Sequence, residues 1–239
     1  MQNMTSLCTI MKNCEDVVET FFNWGTANFT EINVVLDIDH SDSTVLKCYA
    51  FKECFPNIIN LYKREFDNFS KQKQNAYDMC TKPFAVLIDA DEIIEEMPDN
   101  GIADFMNVSK ADVGYFARYN LQGDDEHCYG YPDHQYRVVR KSSGIKMNGL
   151  PVDERLAIEN CRVVQMPWDI IHYGHIRPVE ALKLKGKDRM AFADCDPCDG
   201  EMLKKHGEDW FIERNKLWNE KRSVVPIWVT NYSRKYWAK

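Results

Sequence analysis

The sequence has no run of 18 apolar residues, so no segment has the length and apolarity of a membrane-spanning helix. Its N-terminus lacks the series of charged start, apolar stretch and cleavage site that marks a secretory signal, which points to a cytoplasmic protein, or to a host cytoplasm if phage-encoded. There is no internal repeat and no low-complexity tract, which argues against repeat arrays and biased linkers. Positive charge is not in excess. The formal net charge of −7 argues against a general nucleic-acid coat and leaves only a local basic patch open. The nine cysteines are an odd number, scattered through core-like positions such as Cys8 and Cys80, and without a secretion signal they are expected to stay reduced. Cys195-Asp-Pro-Cys198 has metal or redox spacing. It lacks a second pair and a thioredoxin-like context, so it is not read as a site.

What is present is a core. A chain of 239 residues with 44% hydrophobic and 12% aromatic residues can fold as one large domain, or as a domain with an appendage. Thr5 to Met11 reads as a buried strand. Asn13 reads as the N-cap of a helix, with Asp16 in the capping-box position and Gly25 as the stop. Ile32 to Leu36 is a second strand, running into Asp37, Asp39 and Asp42. Val45 to Tyr62 reads as helix plus connection, and a helix begins near Ser70. Ala85 to Ile88 is a strand that ends abruptly in Asp89, Asp91 and Glu92. Carboxylates cost too much to lie unpaired inside such a sheet, so they belong where the strand ends and the chain turns. Two of them at i and i+2 can converge on a hard divalent ion, the alternative being a solvated acidic turn.

Alternation of strands and helices over about the first 95 residues implies a doubly wound, mostly parallel sheet, with the strand-end loops along one edge. The second half is less regular. Val113 to Tyr119 and Gln135 to Arg140 suit strands, with Asn120 to Tyr131 as a polar loop, including the acidic run Asp124 to His127. Cys161 to Met166 and Ile170 to Gly174 suit two further strands. From Val179 the sequence is charged and helical. The last nineteen residues, from Lys221, carry five Lys or Arg and no acid, with Trp228, Tyr232, Tyr236 and Trp237 interleaved.

Seven segments, in order, resemble the motifs of one group. Ser6 to Asn13 resembles "SLCMIVKNE". Val34 to Thr44 resembles "VVVDTGSTDGT", with Asp37, Asp42 and Thr44 in register. Asn68 to Lys73 resembles "DFSxAR", and Phe84 to Glu92 resembles "WILFLDADE" with its DXD acids. Pro132 to Arg140 resembles "xQxRLFR", Gly149 to Glu154 resembles "GxVHE", and Ile171 to Gly174 resembles a "HYG" segment. The chain is thereby similar to the inverting glycosyltransferases of the GT-A fold, family 2. The resemblance implies an α/β fold with a Rossmann-like nucleotide-binding half (about 1–95), an acceptor half (about 96–178) and a helical extension (179–239).

The resemblance also implies roles. Asp89 and Asp91 would hold Mn2+ or Mg2+ against the diphosphate of a nucleotide sugar, UDP-sugar first among donors, with His172 as a further ligand and His175 as its alternate. A neutral imidazole favours Mn2+. Asp37 would bond the nucleobase edge, with Asp39 beside the diphosphate, Lys73 toward the nucleotide, and Asp89 and Ala90 along the donor. Asp42 and Thr44 would shape the loop. The general base would be Glu154, then Asp153, then Asp133; Asp153 stands where the family has histidine. Arg137 and Arg140 would contact phosphate or acceptor. The acceptor would be a glycan or lipid-linked sugar, with the basic aromatic tail touching a membrane or polyanion, or a hydroxymethylated base in phage DNA. Outside the enzymes, the alternative is a non-catalytic module that binds a nucleotide sugar or a divalent ion.

Overall fold

The computed structural model describes residues 4–152, 154–196 and 199–237. The first half alternates as expected: β1 (Thr5–Met11), α1 (Val18–Asn28), β2 (Ile32–Asp37), α2 (Thr44–Cys54), β3 (Ile59–Arg64), α3 (Phe69–Asp78) and β4 (Phe84–Leu87). These four strands pair in parallel, in spatial order β3-β2-β1-β4. Their C-terminal ends therefore share one edge, and Lys12, Asp37 and Asp89 are delivered there together. A short strand β5 (Glu92–Ile94), helix α4 (Gly101–Ser109), the long hairpin β6 (Val113–Gln122) and β7 (His127–Arg140), and β8 (Val163–His175) follow. β7 runs antiparallel to β4 and joins the halves, and the sheet continues β7-β6-β8-β5. The chain closes with α5 (Val179–Met190), α6 (Gly200–His206), α7 (Trp210–Asn219), β9 (Ser223–Val224) and α8 (Ile227–Tyr236).

Side chains alternate across a strand, so a sheet covered on both faces needs apolar residues at every position. Leu7, Val34, Leu36 and Val86 point into one core, against Phe21, Phe22 and Trp24 of α1. Their neighbours Cys8, Val35, Ala85 and Leu87 point into the other, against Ala76 and Tyr77 of α3. Buried indole needs a partner for its N–H, and Trp24 donates to the Ile94 carbonyl at 2.9 Å. Helices α5 to α7 form a third, separate cluster around Leu182, Leu203, Trp210 and Phe211.

Several sequence expectations change. Asn13 is not an N-cap: it has φ +47°, and its side-chain oxygen accepts from the Ser41 backbone N–H at 2.9 Å. Gly25 does not stop α1. A Cβ there would lie 3.0 Å from Ile32 and 3.2 Å from Leu7, so the glycine lets the helix approach the sheet. The stretch 59–64 is an edge strand rather than a connection; only Ile59 is fully buried, which hides the strand signal. Asn120 to Tyr131 is not a loop. β6 runs through Gln122 and β7 starts at His127: both polar side chains are buried with partners, Asn120 donating to Asp133 of β7 and Gln122 to Asn219, near the C-terminal end of the chain. Within the remaining turn, Asp125 is buried and held by Arg234 rather than solvated. The two strands expected over 161–174 are one. Between Tyr115 and Ala117 of β6, β8 advances from Gln165 to Asp169, a bulge that accommodates Pro167.

The aromatics of the tail, expected to touch a membrane or polyanion, turn toward the core. Val229 is fully buried, and Trp228, Tyr232, Tyr236 and Trp237 pack on the main core. Trp237 stacks on Tyr173 at 4.6 Å, and Arg234 pairs with Asp125. The aromatic interleaving is the inward face of a helix, and apolar burial accounts for it. No helix among the described residues is long and apolar enough to cross a membrane.

Candidate active site

The edge where β1, β2 and β4 end carries a dense set of paired charges. Asp37, at the end of β2, is buried and pairs with Lys12 at 2.9 Å. Its other oxygen accepts from the Asp39 backbone N–H at 3.0 Å, while the Asp39 side chain is exposed. Asp42 accepts from the Glu15 and Thr44 backbone N–H groups, and the Thr44 hydroxyl accepts from the Cys14 N–H, so both residues build the loop.

The turn after β4 splits its two aspartates between different partners, with half-buried Ala90 between them. Asp89 takes Lys73 at 2.6 Å and Arg137 at 2.9 Å. Lys73 also binds Glu154 at 2.5 Å, so one ammonium joins the strand-end turn to the turn after Gly149. Burial alone would raise the Asp89 pKa and depress that of Lys73. The opposite charges outweigh it: Arg137 and Lys73 hold Asp89 far below the usual carboxylate range, and Asp89 and Glu154 raise Lys73. Asp91 is buried and faces His172, Arg177 and Lys185: His172 Nε2 at 3.5 Å from Oδ1, Lys185 at 2.9 Å and Arg177 at 3.8 Å from Oδ2. Against the penalty of burial, Lys185 and then His172 hold its pKa well below the ordinary value.

Behind these acids lies a second layer. Glu92, fully buried, accepts from Arg118 at 2.5 Å and Arg137 at 2.7 Å, and its other oxygen accepts from the Asp89 backbone N–H at 3.0 Å. Asp133 accepts from Arg118, from Asn120 at 3.0 Å and from Gln135 at 2.8 Å. Because the Asn120 amide nitrogen is committed to Asp133, its carbonyl oxygen faces His172 Nδ1 at 2.7 Å. That oxygen can only accept, so Nδ1 carries a proton, and Nε2 is the nitrogen that faces Asp91.

A divalent ion would find two protein ligands here, Asp91 and His172; among the described residues no group of three or more His, Cys, Asp or Glu converges. Two ligands fit an ion that takes its remaining oxygens from a diphosphate and water. Gly174 makes the arrangement possible. A Cβ at that position would lie 2.2 Å from His172 Nε2 and 3.1 Å from Asp91 Oδ2. Gly174→Ala is therefore expected to push the imidazole off Asp91 and weaken Mn2+ binding by about 10–100-fold, the range for disturbing a ligand's support. Titration with Mn2+ followed by electron paramagnetic resonance reads this directly, and an unchanged affinity would remove His172 from the ligand set.

Of the residues singled out in the sequence, Asp37, Lys73, Asp89, Asp91, Arg137, Glu154 and His172 lie at or immediately behind this edge. Asp153 and Cys198 lie outside the described residues. Cys195 is exposed, its thiol toward the Phe192 carbonyl. Arg140 is not at the site. It sits opposite Phe84, at the other end of β4, stacks 4.7 Å above that ring and donates to the Ala111 and Met106 carbonyls. The His175 ring lies against His172 and Trp218, at 5.3 and 5.0 Å; burial first, then His172, Lys185 and Arg214, push its pKa well below 6.5, against an opposing pull from Asp91. It stays neutral in the fold, whereas an unfolded chain protonates it below about pH 6.5. The unfolded state then binds more protons, so stability rises with pH through this window. It is complete above about 6.5 and falls by up to about 1.4 kcal/mol per pH unit below it. Melting curves from about pH 5 to 7.5 should show this slope, and His175→Gln should flatten it.

Sequence reasoning did not find Arg177, Lys185 or Arg118, and gave Asn120 and Gly174 no role of their own. Their partners lie 26 to 94 residues away in the cases of Arg118–Glu92 and Lys185–Asp91, and no local pattern marks such pairs.

No protein-family model matches the chain, and comparison with curated proteins finds no match. Comparison of structures does. S. aureus TarS 1-349 in complex with UDP aligns with TM-score 0.52 at 14% identity, over 92% of this chain and 73% of that one. Against the S. aureus TarS structure the TM-score is 0.51 at 14% identity, over 85% of this chain, which spans 42% of that chain's length. The mannosyltransferase PcManGT from Pyrobaculum calidifontis, in complex with GDP-Man and Mn2+, aligns with TM-score 0.52 at 9% identity, over 92% and 75%. At these identities the likeness is one of fold, and the fold is of the GT-A type.

Proposed function

From a GT-A-type fold with paired acids at its donor edge, we propose that this protein moves a glycosyl group from a nucleoside diphosphate sugar to a hydroxyl acceptor, with inversion and with Mn2+ or Mg2+. The observation that carries the proposal is Asp91 facing His172 Nε2 across the notch left by Gly174, at the edge where β2 also delivers Asp37. UDP in one structural neighbour and GDP-Man with Mn2+ in another support the donor class; UDP-sugar is the first candidate.

When bound, the ion supplies Lewis-acid neutralisation of the leaving diphosphate. The rest falls to the chain. Asp37, oriented by Lys12, bonds the nucleobase edge. Lys73 and Arg137 keep Asp89 ionised and fixed beside the donor. Glu154, joined to Asp89 through Lys73, accepts the acceptor's proton. The acceptor oxygen bonds to the anomeric carbon while the carbon–oxygen bond to phosphate breaks, its electron pair leaving with the diphosphate. Asp133, engaged by Arg118, Asn120 and Gln135, serves to orient Asn120 rather than to take a proton. Arg140, offered as a phosphate contact for a DNA acceptor, is spent on α4, which favours a glycan or lipid-linked sugar.

The test is release of nucleoside diphosphate from a panel of UDP- and GDP-sugars with Mn2+, with and without oligosaccharide acceptors. Donor binding without release or transfer from any donor would leave a non-catalytic binding module instead. A steep salt dependence of acceptor binding would restore the DNA reading.

A further inference from the structure

Helix α5 lies across the donor edge, and it does so with polar side chains. Lys185 and Asp188 are three residues apart and so fall on one face, and Phe192 follows in the turn after the helix. Lys185 Nζ is 2.9 Å from Asp91 Oδ2. Asp188 accepts from the Asn13 amide at 3.0 Å and faces Lys12, the partner of Asp37, at 3.7 Å. Phe192 packs on Phe66 and Phe69 at 5.7 and 5.8 Å. The neighbouring face is fixed: Leu182 belongs to the α5–α7 cluster, and Gly186 lies so close to the Glu208 carbonyl that a Cβ would be 2.5 Å from it.

Resting on the donor reading above, we infer that α5 gates the donor site, with Lys185 exchanging partners: Asp91 without the donor, the donor's diphosphate with it. A divalent ion and an ammonium on one carboxylate repel each other, so ion binding at Asp91 drives Lys185 off. An arriving diphosphate offers the displaced ammonium two or more anionic oxygens. The cation that closes the site thus becomes one that neutralises the leaving group, and Asp188 must release Asn13 and Lys12 before the nucleoside reaches Asp37.

The experiment is a pair of titrations on Lys185→Gln. Without nucleotide, Mn2+ should bind about tenfold tighter than to wild type, because its competitor is gone. With Mn2+ present, UDP or GDP should bind about tenfold more weakly, because a phosphate partner is gone. Lys185→Arg should restore nucleotide affinity. Asp188→Asn should speed nucleotide association and leave Mn2+ affinity unchanged. A loss of structure would weaken both ligands together, so the opposite signs are diagnostic. Unchanged or weaker Mn2+ binding by Lys185→Gln overturns the inference. Unchanged nucleotide binding overturns the exchange. If neither UDP nor GDP binds wild type with Mn2+, the donor reading itself falls, whatever Mn2+ does alone.

Discussion

Asp91→Asn is expected to lower kcat/KM for donor turnover by about a thousandfold, or roughly 4 kcal/mol of transition-state stabilisation. The amide keeps the shape of the carboxylate and removes its charge. The ion then has His172 alone among the two protein ligands, and Lys185 and Arg177 lose their shared partner. The variant discriminates between two ways of stabilising a diphosphate. Lys73, Arg137, Arg177 and Lys185 already surround the strand-end acids. If these cations were enough, Asp91→Asn would free Lys185 for the diphosphate and activity would hold or rise. A loss smaller than tenfold in a nucleoside diphosphate release assay, with no residual dependence on Mn2+, would decide for the cations and against the ion.

Glu92→Gln should instead unfold the protein more easily. Glu92 is fully buried with Arg118 and Arg137 on one oxygen and the Asp89 N–H on the other. Breaking a buried ion pair by removing one partner costs about 3–5 kcal/mol, and here two arginines lose their shared carboxylate, Arg118 keeping Asp133 and Arg137 keeping Asp89. For a chain of this size that corresponds to a fall in Tm of roughly 6–20 °C. Asp133→Asn is the control. Its side chain is 30% exposed, so water can replace what Arg118 loses, and a loss of about 1 kcal/mol is expected. Thermal and urea unfolding measure both. Equal small effects at the two positions would mean that Arg118 and Arg137 are solvated and the second layer contributes little.

The parallel half of the fold was readable because strands buried on both faces need apolar residues at every position. Leu7/Cys8 and Val34/Val35 therefore appear as unbroken runs, and the acids that end them mark the sheet edge. The antiparallel half hides itself for the converse reason. In β6 and β7, Arg118, Asn120, Asp133 and Gln135 take strand positions and hydrogen-bond one another, and the polar stretch Asn120 to Tyr131, where the two strands continue, reads as a loop. The candidate site was legible where its residues sit at strand ends, as with Asp37, Asp89 and Asp91. It was illegible where a residue acts through a distant partner. Lys185 is one of several lysines in a charged helix, and only its approach to Asp91 distinguishes it.

The packing of α8 on α1 bears on how the chain reaches this state. The Thr20 hydroxyl donates to the Tyr236 carbonyl across 216 residues of sequence, and Val229 completes the core that Phe21 and Trp24 begin. At about 5–20 residues per second, a ribosome takes roughly 10–40 s to make the intervening chain. Throughout that time the aromatic face of α1 has no cover from its last partner. The strands that bear Asp37 and Asp89 emerge early, yet their layer is finished last. Newly made chains should therefore depend on chaperones more than the mature protein's stability suggests.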